Sequence, residues 1–547
     1  MKKRIMICCN VYPPNFIGGA ELIAHSQALE LKKNGYDVIV FTGDISDCGK
    51  RHSIRREVYE GLTVFRIRLV SQDYQPEYIN FYHEEVENHF KDVLNSFSPD
   101  VVHFHNIIGL SLGLIHIAKQ RGIKTVLTLH DNWGFCHKNT IIKNESEICL
   151  DFTRCKECMP YISDENNFGI PIRIRQDFFR IIFRDVDEFI SPSQYLAKNY
   201  ILAGIPEEKM HVIWNGIDIQ KFSNLSKIPD NQRVRFTFIG YFGKHKGINV
   251  LIDALPYLNN LNCLSVNLVG KGELMESLKD KVQKMGLSDL VSFWGKIEDI
   301  NDAYRSTDVL ILPSIWPENQ PVTITEAMAS KIPIIASNLG GVPELIEDGK
   351  TGYLFEAGNS KDLAQKMLEF VSHPEKISVL GEAAYNKIVN NTLENQVQKI
   401  VQIYDLKNSN SEFQCNEEVI VACLGKNFDS KCVQAMTYFL NKNPEFNLRF
   451  VMGEWLQDNQ FSTVKLLWVV DPKTNKDEVN IGLINKLPLL IPEANDVLKN
   501  ICVKGNCGLY YRDALEAREC LKFLLSNERE RKALSQNCFE YYLKYVN

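Results

Sequence analysis

Two carboxylates eight positions apart, Glu318 and Glu326, stand in the stretch PENQPVTITEAMASK (317–331). Glu318 precedes Asn319, Gln320, Pro321 and Val322; Glu326 lies in the helix-like run that follows. Backbone N–H groups near Val322 and Thr323 are unpaired at a helix start and can face a phosphate. A carboxylate one turn further in can accept two hydrogen bonds from a ribose diol. The loop acid would sit near a sugar and the positive charge that develops on it. An acid near a helix start is also favoured by the helix dipole alone. Pro321 is expected just inside the helix, where its missing N–H costs nothing.

Other residues suit the same chemistry. IGYFGKHKG (239–247) runs from a strand through Gly240 into a basic turn with Lys244 and Lys246. Lysines beside open backbone donors suit a diphosphate, although a solvated basic turn has the same composition. YPPNFIGGAEL (12–22) places Gly18 and Gly19 between a strand and a helix, which lets backbone approach a ligand closely. It lacks the G-x-G-x-x-G spacing of dinucleotide folds. Cys136, Cys149, Cys155 and Cys158 stand in a polar, loop-like insertion and include a C-x2-C pair. They offer four thiolates to a structural zinc, with His137 as a substitute ligand, or are ordinary thiols. Asp185 and Asp187 form an Asp-x-Asp pair of the kind used by metal-dependent transferases, but with nothing phosphate-like nearby, and read as surface acids.

These groups need elements to hold them. Short apolar runs such as RIMICC (4–9), DVIVFTG (37–43), DVVHFHN (100–106) and KTVLTLH (124–130) alternate with amphipathic helical stretches. Nearly continuous apolar strands separated by helices imply a parallel sheet covered on both faces. A polar, punctuated stretch, SNLSKIPDNQR (223–233), marks a domain boundary, and a second alternating series follows it through RFTFIG, LSVNLVG, DVLILPS and IPIIAS. KNSNSEFQ (407–414) is a further linker. Beyond it, KLPLLIPEANDVLKNICVKGNCGLYY (486–511) parallels KIPIIASNLGGVPELIEDGKTGYLF (331–355). Lys499 stands where Glu344 does and Ile481 where Glu326 does, so the apolar skeleton persists without the site acids. The alternative to a diverged internal copy is the pattern any two α/β domains share.

The 547 residues exceed a single core, and three domains are expected: 1–222 with the cysteine-rich insertion 136–158, 223–406, and 415–547. A net charge of −6 disfavours a dedicated nucleic-acid binder. The apolar run after MKKR is too short for a signal peptide, and no stretch approaches a membrane span. The chain is therefore expected to be cytoplasmic, with fifteen cysteines read mainly as reduced thiols or ligands. IPIRIRQDFFRIIFR (170–184) interleaves arginines with large apolar residues, as a helix lying on an anionic membrane or an ordinary amphipathic helix would.

Over roughly residues 1–405 the chain resembles the family-4 retaining glycosyltransferases of GT-B fold. The resemblance rests on GGAE, TLHD, ISPSQ, NGID, GKHKG, ENQPVTITE and GGVPELIEDGKTGYL. It implies an α/β fold of two facing Rossmann-like domains, here with a third, smaller one. It also implies a nucleotide-diphosphate sugar donor held mainly by the second domain, transfer with retention, and no divalent ion required for catalysis. By position, Glu326 would bind the ribose, and Glu318 with the backbone of Asn319–Val322 the sugar and phosphates. Lys246 would neutralise the leaving diphosphate, and Gly19 would close on it from the first domain. His130 would face the reacting sugar, and Gly295 and Lys296 the base. Tyr241 departs from the pattern, which often has arginine there. The expected activity is transfer from a UDP- or GDP-sugar to a glycan or lipid-linked acceptor in cell-surface polysaccharide synthesis. An inactive sugar-nucleotide-binding scaffold and a GT-B epimerase are the competing readings. Peripheral membrane association and oligomerisation are compatible with all of them.

Overall fold

The computed structural model describes residues 2–15, 18–46, 49–75, 83–143, 147–149, 152, 155–159, 161–163, 169–172, 175, 179, 182–228, 233–258, 261–406, 419–424, 448–452, 464–469 and 473–546. Two compact units divide the chain. The first comprises 1–75, 80–152 and 182–408, and the second 76–79, 153–181 and 409–547. The linker 407–414 lies outside the described residues, and in the basic segment 170–184 the described Ile172, Arg175, Phe179, Ile182 and Phe183 are buried.

The first unit contains two large sheets. Strands β1 (Arg4–Cys9), β2 (Asp37–Asp44), β3 (Ile54–Tyr59), β4 (Leu62–Arg68), β5 (Val101–Phe104) and β6 (Lys124–Thr128) precede two small hairpins, β7 (Ile142–Lys143) with β8 (Glu147–Ile148) and β9 (Tyr161–Ser163) with β10 (Gly169–Pro171). The second of these hairpins belongs to the second unit. Strands β11 (Glu188–Ser191) and β12 (Met210–Val212) complete a sheet of order β12-β11-β6-β5-β1-β2-β4-β3. It is parallel except for β3, which pairs antiparallel with β4. That hairpin was not expected from the parallel pattern. Its two-residue turn, Glu60–Gly61, has φ of 45° and 76°, and positive φ at both central residues matches the right-handed twist of the strands.

Strands β13 (Val234–Ile239), β14 (Leu264–Val269), β15 (Val291–Gly295), β16 (Val309–Leu312), β17 (Ile334–Ser337) and β18 (Gly352–Phe355) form the second sheet, order β15-β14-β13-β16-β17-β18, all parallel. Alternate residues enter opposite cores. Phe236, Phe238, Val309 and Ile311 pack on one face, and Ile239, Leu310 and Leu312 on the other. Both faces are dry, as the continuous apolar runs predict. Truncating a ring such as Phe238 to alanine would cost about 3–5 kcal/mol. The helix Leu393–Tyr404, which follows the second sheet in the chain, returns to the first. Its Val397, Ile400, Ile403 and Tyr404 share a core with Ile5, Ile7 and Val126.

In the second unit, β19 (Val419–Leu424), β20 (Leu448–Met452), β21 (Val464–Val469), β22 (Leu489–Pro492) and β23 (Gly508–Tyr511) form a parallel sheet of order β20-β19-β21-β22-β23. Among the described residues this is the order of the second sheet without a strand equivalent to β15. No described helix is long and apolar enough to cross a membrane.

Candidate functional site

At the carboxyl end of β16 the chain enters the loop 313–321. Gly247 (φ 67°), in the turn after β13, packs so tightly on this loop that a Cβ would run into the Pro313 carbonyl oxygen. This close approach sets Lys246 beside the loop. Lys246 Nζ lies 2.6 Å from Glu318 Oε1, and Ser314 Oγ donates to the same oxygen at 2.9 Å. Burial alone would raise the Glu318 carboxyl, but the Lys246 charge and the Lys246 and Ser314 hydrogen bonds outweigh it, and the pKa falls below its ordinary value. Glu318 is therefore an anion already paired with the cation expected to meet a diphosphate.

The loop is braced from behind by Gly340 and Gly341. Gly341 N donates to Glu318 O at 2.7 Å. A Cβ at Gly340 (φ 66°) would strike the Glu318 backbone, and one at Gly341 the Asn319 carbonyl. The helix Val322–Ala329 follows, with Pro321 (φ −63°, ψ 121°) as its cap rather than its first helical residue. Pro321 stays extended, so the helix opens at Val322. Glu326, its fifth residue, accepts from the buried Tyr304 hydroxyl at 2.6 Å. Burial raises the Glu326 carboxyl despite that hydrogen bond.

The first domain supplies the opposite wall. A Cβ at Gly19 would lie 3.4 Å from Val322 Cγ2, so the Gly18–Gly19 turn faces the start of the helix Val322–Ala329. Glu21 Oε2 accepts from Gly18 N at 2.8 Å and fixes that turn at the head of the helix Gly19–Lys33. His130, just past β6, reaches the loop through its carbonyl, which accepts from Asn319 Nδ2 at 2.8 Å. Its imidazole Nε2 is 2.9 Å from His105 Nδ1, and His105 stacks in turn on His103, ring centroids 4.6 Å apart. Burial pushes His130 down to about 4 and His103 down to about 3, so these rings are neutral near pH 7. His103 hydrogen-bonds both Thr128 and Tyr404, each at 2.7 Å, which ties the returning helix to the strands under the site.

Two further side chains join the domains. Gln320 uses both ends of its amide on Asn215 of the NGID segment, at 2.6 Å to its N–H and 3.2 Å to its carbonyl. Glu344 accepts from the N–H groups of Gln194 and Tyr195, both at 2.8 Å, and so caps the helix Gln194–Leu202 across the domain boundary. Sequence reading singled out neither role, nor those of Ser314 and Tyr304, whereas His103 and His105 were expected to be structural or acceptor-side residues rather than metal ligands. The one available signal was the glycine pair in GGVPE, which implies close backbone packing.

The other expected residues are placed as follows. Lys244 opens the short turn Lys244–Lys246, Gly240 directly follows β13, and Tyr241 is half exposed, its ring stacked toward His245. Gly295 (φ 70°) ends β15 and its carbonyl accepts from Gly270 N at 2.8 Å, with Lys296 exposed beside it. Cys136 and Cys149 fall in the first unit, and Cys155 and Cys158, at the two ends of a short helix, in the second. Asp187 is not a surface acid. It is buried, pairs with Lys119 and accepts from Thr125 N at 2.9 Å, while Asp185 hydrogen-bonds His116 at 2.6 Å. Both tie structural elements together.

Two family models meet across this cleft. The one described as Glycosyltransferase Family 4 matches residues 17–221, and Glycosyl transferases group 1 matches 218–387. An uncharacterized glycosyltransferase of Methanocaldococcus jannaschii is 25% identical over 370 residues, 64% of this chain and 85% of that protein. The Escherichia coli UDP-Gal:alpha-D-GlcNAc-diphosphoundecaprenol alpha-1,3-galactosyltransferase is 33% identical over 211 residues, 36% of this chain and 54% of that one. An Erwinia amylovora amylovoran biosynthesis glycosyltransferase is 30% identical over 203 residues, 36% of this chain and 49% of that protein. Among solved structures, Anabaena HepE in complex with UDP superposes with a TM-score of 0.53 at 18% identity, covering 73% of this chain and 98% of that one. Sucrose-phosphate synthase from Thermosynechococcus elongatus gives 0.55 at 17% identity, covering 74% and 98%. The fold of the first unit is GT-B.

Proposed function

We propose that this chain, which carries the two domains of a GT-B glycosyltransferase, moves a sugar from a nucleotide-diphosphate sugar to a glycan or lipid-linked acceptor with retention. The observation that carries the reading is the convergence of Lys246, Glu318 and the helix start at Val322 opposite Gly18–Gly19. In that arrangement the diphosphate lies against the backbone N–H groups of the helix and Lys246, which stabilise the charge of the leaving group. Lys246 then exchanges its partner from Glu318 to phosphate, and the freed Glu318 carboxylate accepts from sugar hydroxyls. Glu326 offers its second oxygen to the ribose, and neutral His130 faces the reacting sugar. Gly240, Lys244, Gly295 and Lys296 line the nucleotide side in the same reading. Retention goes with the family resemblance, and no divalent ion is assigned to the step.

The relatives that act on UDP-galactose or build amylovoran favour a UDP-sugar and a surface polysaccharide. The C-x2-C pair Cys155 and Cys158 carries a further proposal of structural zinc. The decisive experiment is a thermal-shift and turnover screen with UDP-, GDP- and ADP-sugars. Stabilisation by a UDP-sugar and release of UDP with acceptor support the reading, and the absence of both with every donor sinks it.

The second unit is read as a diverged, non-catalytic copy of the second domain. Local geometry supports this. Lys331 (φ 57°) and Lys486 (φ 56°) hold the same left-handed position before β17 and β22. Leu310 N donates to Pro333 O at 3.0 Å, and Leu467 N to Pro488 O at 2.9 Å. Calorimetry should then give one nucleotide site per chain, and two would overturn the loss of the second.

A further inference from the structure

We propose that His52, Asp73 and His83 form a binding site on the first domain for a divalent transition ion of the zinc class. His52 follows β2, Asp73 sits in the turn Ser71–Tyr74 after β4, and His83 caps the helix Glu84–Phe97. Three segments distant in sequence thus present two imidazoles and a carboxylate to one point. Asp73 Oδ1 is 3.5 Å from His52 Nε2 and 3.9 Å from His83 Nε2, and the three ligand atoms lie within 4.8 Å of one another. A tetrahedral ion with bonds of about 2.1 Å separates its ligands by about 3.4 Å, so the three atoms, within 4.8 Å of one another, close onto one ion by side-chain shifts of at most about 1.4 Å.

Three observations point to an ion rather than to packing. The side chains of Asp73, His83 and His52 are only 0%, 6% and 10% exposed. Both imidazole Nε2 atoms are buried and make no well-formed hydrogen bond among the described residues. Leaving such an atom unsatisfied costs about 1–3 kcal/mol, and a metal bond removes that cost. His52 also holds a left-handed backbone (φ 64°), pinned by its N–H to Arg68 O at 2.7 Å. Strain of this kind concentrates where a side chain must be aimed. Glu85 Oε2 lies 3.8 Å from His52 Nδ1, on the far side of the ring, where a carboxylate favours the tautomer that turns the Nε2 lone pair inward.

Arg51 opposes the ion. Its Nη2 is 2.5 Å and its Nε 3.2 Å from the same Asp73 oxygen, so the guanidinium competes for the carboxylate. The site pins the turn after β2, the turn after β4 and a helix start together. Tyr74, next to Asp73, donates to Asn10 O at the end of β1, 3.4 Å away. This is the carboxyl edge of the first sheet, which the glycosyltransferase reading gives to the acceptor. The metal's role there rests on that reading; its binding does not.

The test uses the full chain, stripped with a chelator and titrated with Co²⁺ alone and then Zn²⁺ alone. One Co²⁺ per chain with visible d–d bands and no thiolate charge-transfer band is expected. His52→Ala/His83→Ala should weaken that binding by roughly 100-fold or more. Arg51→Gln should tighten it several-fold and raise Tm in Zn²⁺, an outcome that does not depend on how the double variant folds. Absence of binding in the natural chain, thiolate bands accounting for all the bound cobalt, or an Arg51→Gln affinity no tighter than wild type would each overturn the site. A change in donor turnover without metal binding would bear on the enzyme reading alone.

Discussion

Lys246 Nζ and Glu318 Oε1, 72 residues apart in sequence, lie 2.6 Å apart at the end of the second sheet. Each group is mostly buried, so each depends on the other until a donor arrives. Glu318→Gln should lower kcat/KM by at least about 100-fold with folding intact, because it removes the only charge on that loop facing Lys246. UDP release with a responsive acceptor, beside circular dichroism, checks this; near-normal turnover would refute the assigned role. The same pair has a pH consequence. The folded Glu318 pKa is depressed, so its contribution to stability is present above the unfolded carboxyl pKa and is lost as pH falls through the folded value. Lys246→Met should flatten that part of the acid-stability profile.

The histidine stack has the same sign in a higher pH window. The folded pKa values of His103 and His130, about 3 and about 4, lie below the unfolded imidazole. Stability should therefore fall as pH drops from about 6.5 toward 4, where the unfolded chain takes up protons that the buried rings refuse. The loss is on the order of 2 kcal/mol per ring at pH 5. Urea midpoints at pH 7.5 and 5.0 should converge in His103→Gln/His130→Gln relative to the natural chain. An unchanged slope would show that these rings do not govern it.

Gly340→Ala tests the brace behind the site. A side chain at φ 66° is strained, and its Cβ meets the Glu318 backbone. A loss of about 1–3 kcal/mol is expected, with a fall in kcat larger than the unfolded fraction explains. Equal stability and activity would mean that the loop moves freely.

Glu344 caps a helix in the other domain, and Lys499, which falls at the same place in the parallel sequence stretch, pairs with Glu493 at 2.8 Å. Glu344→Ala should cost about 1–2 kcal/mol by exposing the N–H groups of Gln194 and Tyr195, and Glu344→Gln less, since the amide oxygen still accepts. Denaturant midpoints of the two variants check the order.

Tyr241 stands where the resembling family often has arginine, half exposed beside the glycine turn. Tyr241→Arg should lower the donor KM several-fold if a phosphate contact is missing there. An unchanged KM, measured with a UDP-sugar, would show that the natural chain meets that phosphate otherwise.

The parallel sheets were legible because their signal is local. In β16, Val309 and Ile311 face one core while Leu310 and Leu312 face the other, so all four must be apolar. The hairpin β3–β4 was left unread, although its Glu60–Gly61 turn and alternating flanks are local too. Glu318 and Lys246 were found as candidates from residue type and place at a strand end. Their mutual pairing was not, because it depends on Gly247 meeting the Pro313 carbonyl. Asp187 was misread because Lys119 and Thr125, which take it into the interior, are far from it in sequence.

The sequence by itself determined the alternation of strands and helices, the loop acid, the helix acid and the glycine turns, since periodicity and turn chemistry act over a few residues. Tertiary structure alone decided what those groups touch. Asn319 meets the His130 carbonyl across 189 residues, Gln320 grips Asn215 across 105, and Tyr404 reaches His103 across 301. Such contacts are selected by the burial of whole faces and the satisfaction of buried polar atoms, which no short stretch of chain encodes.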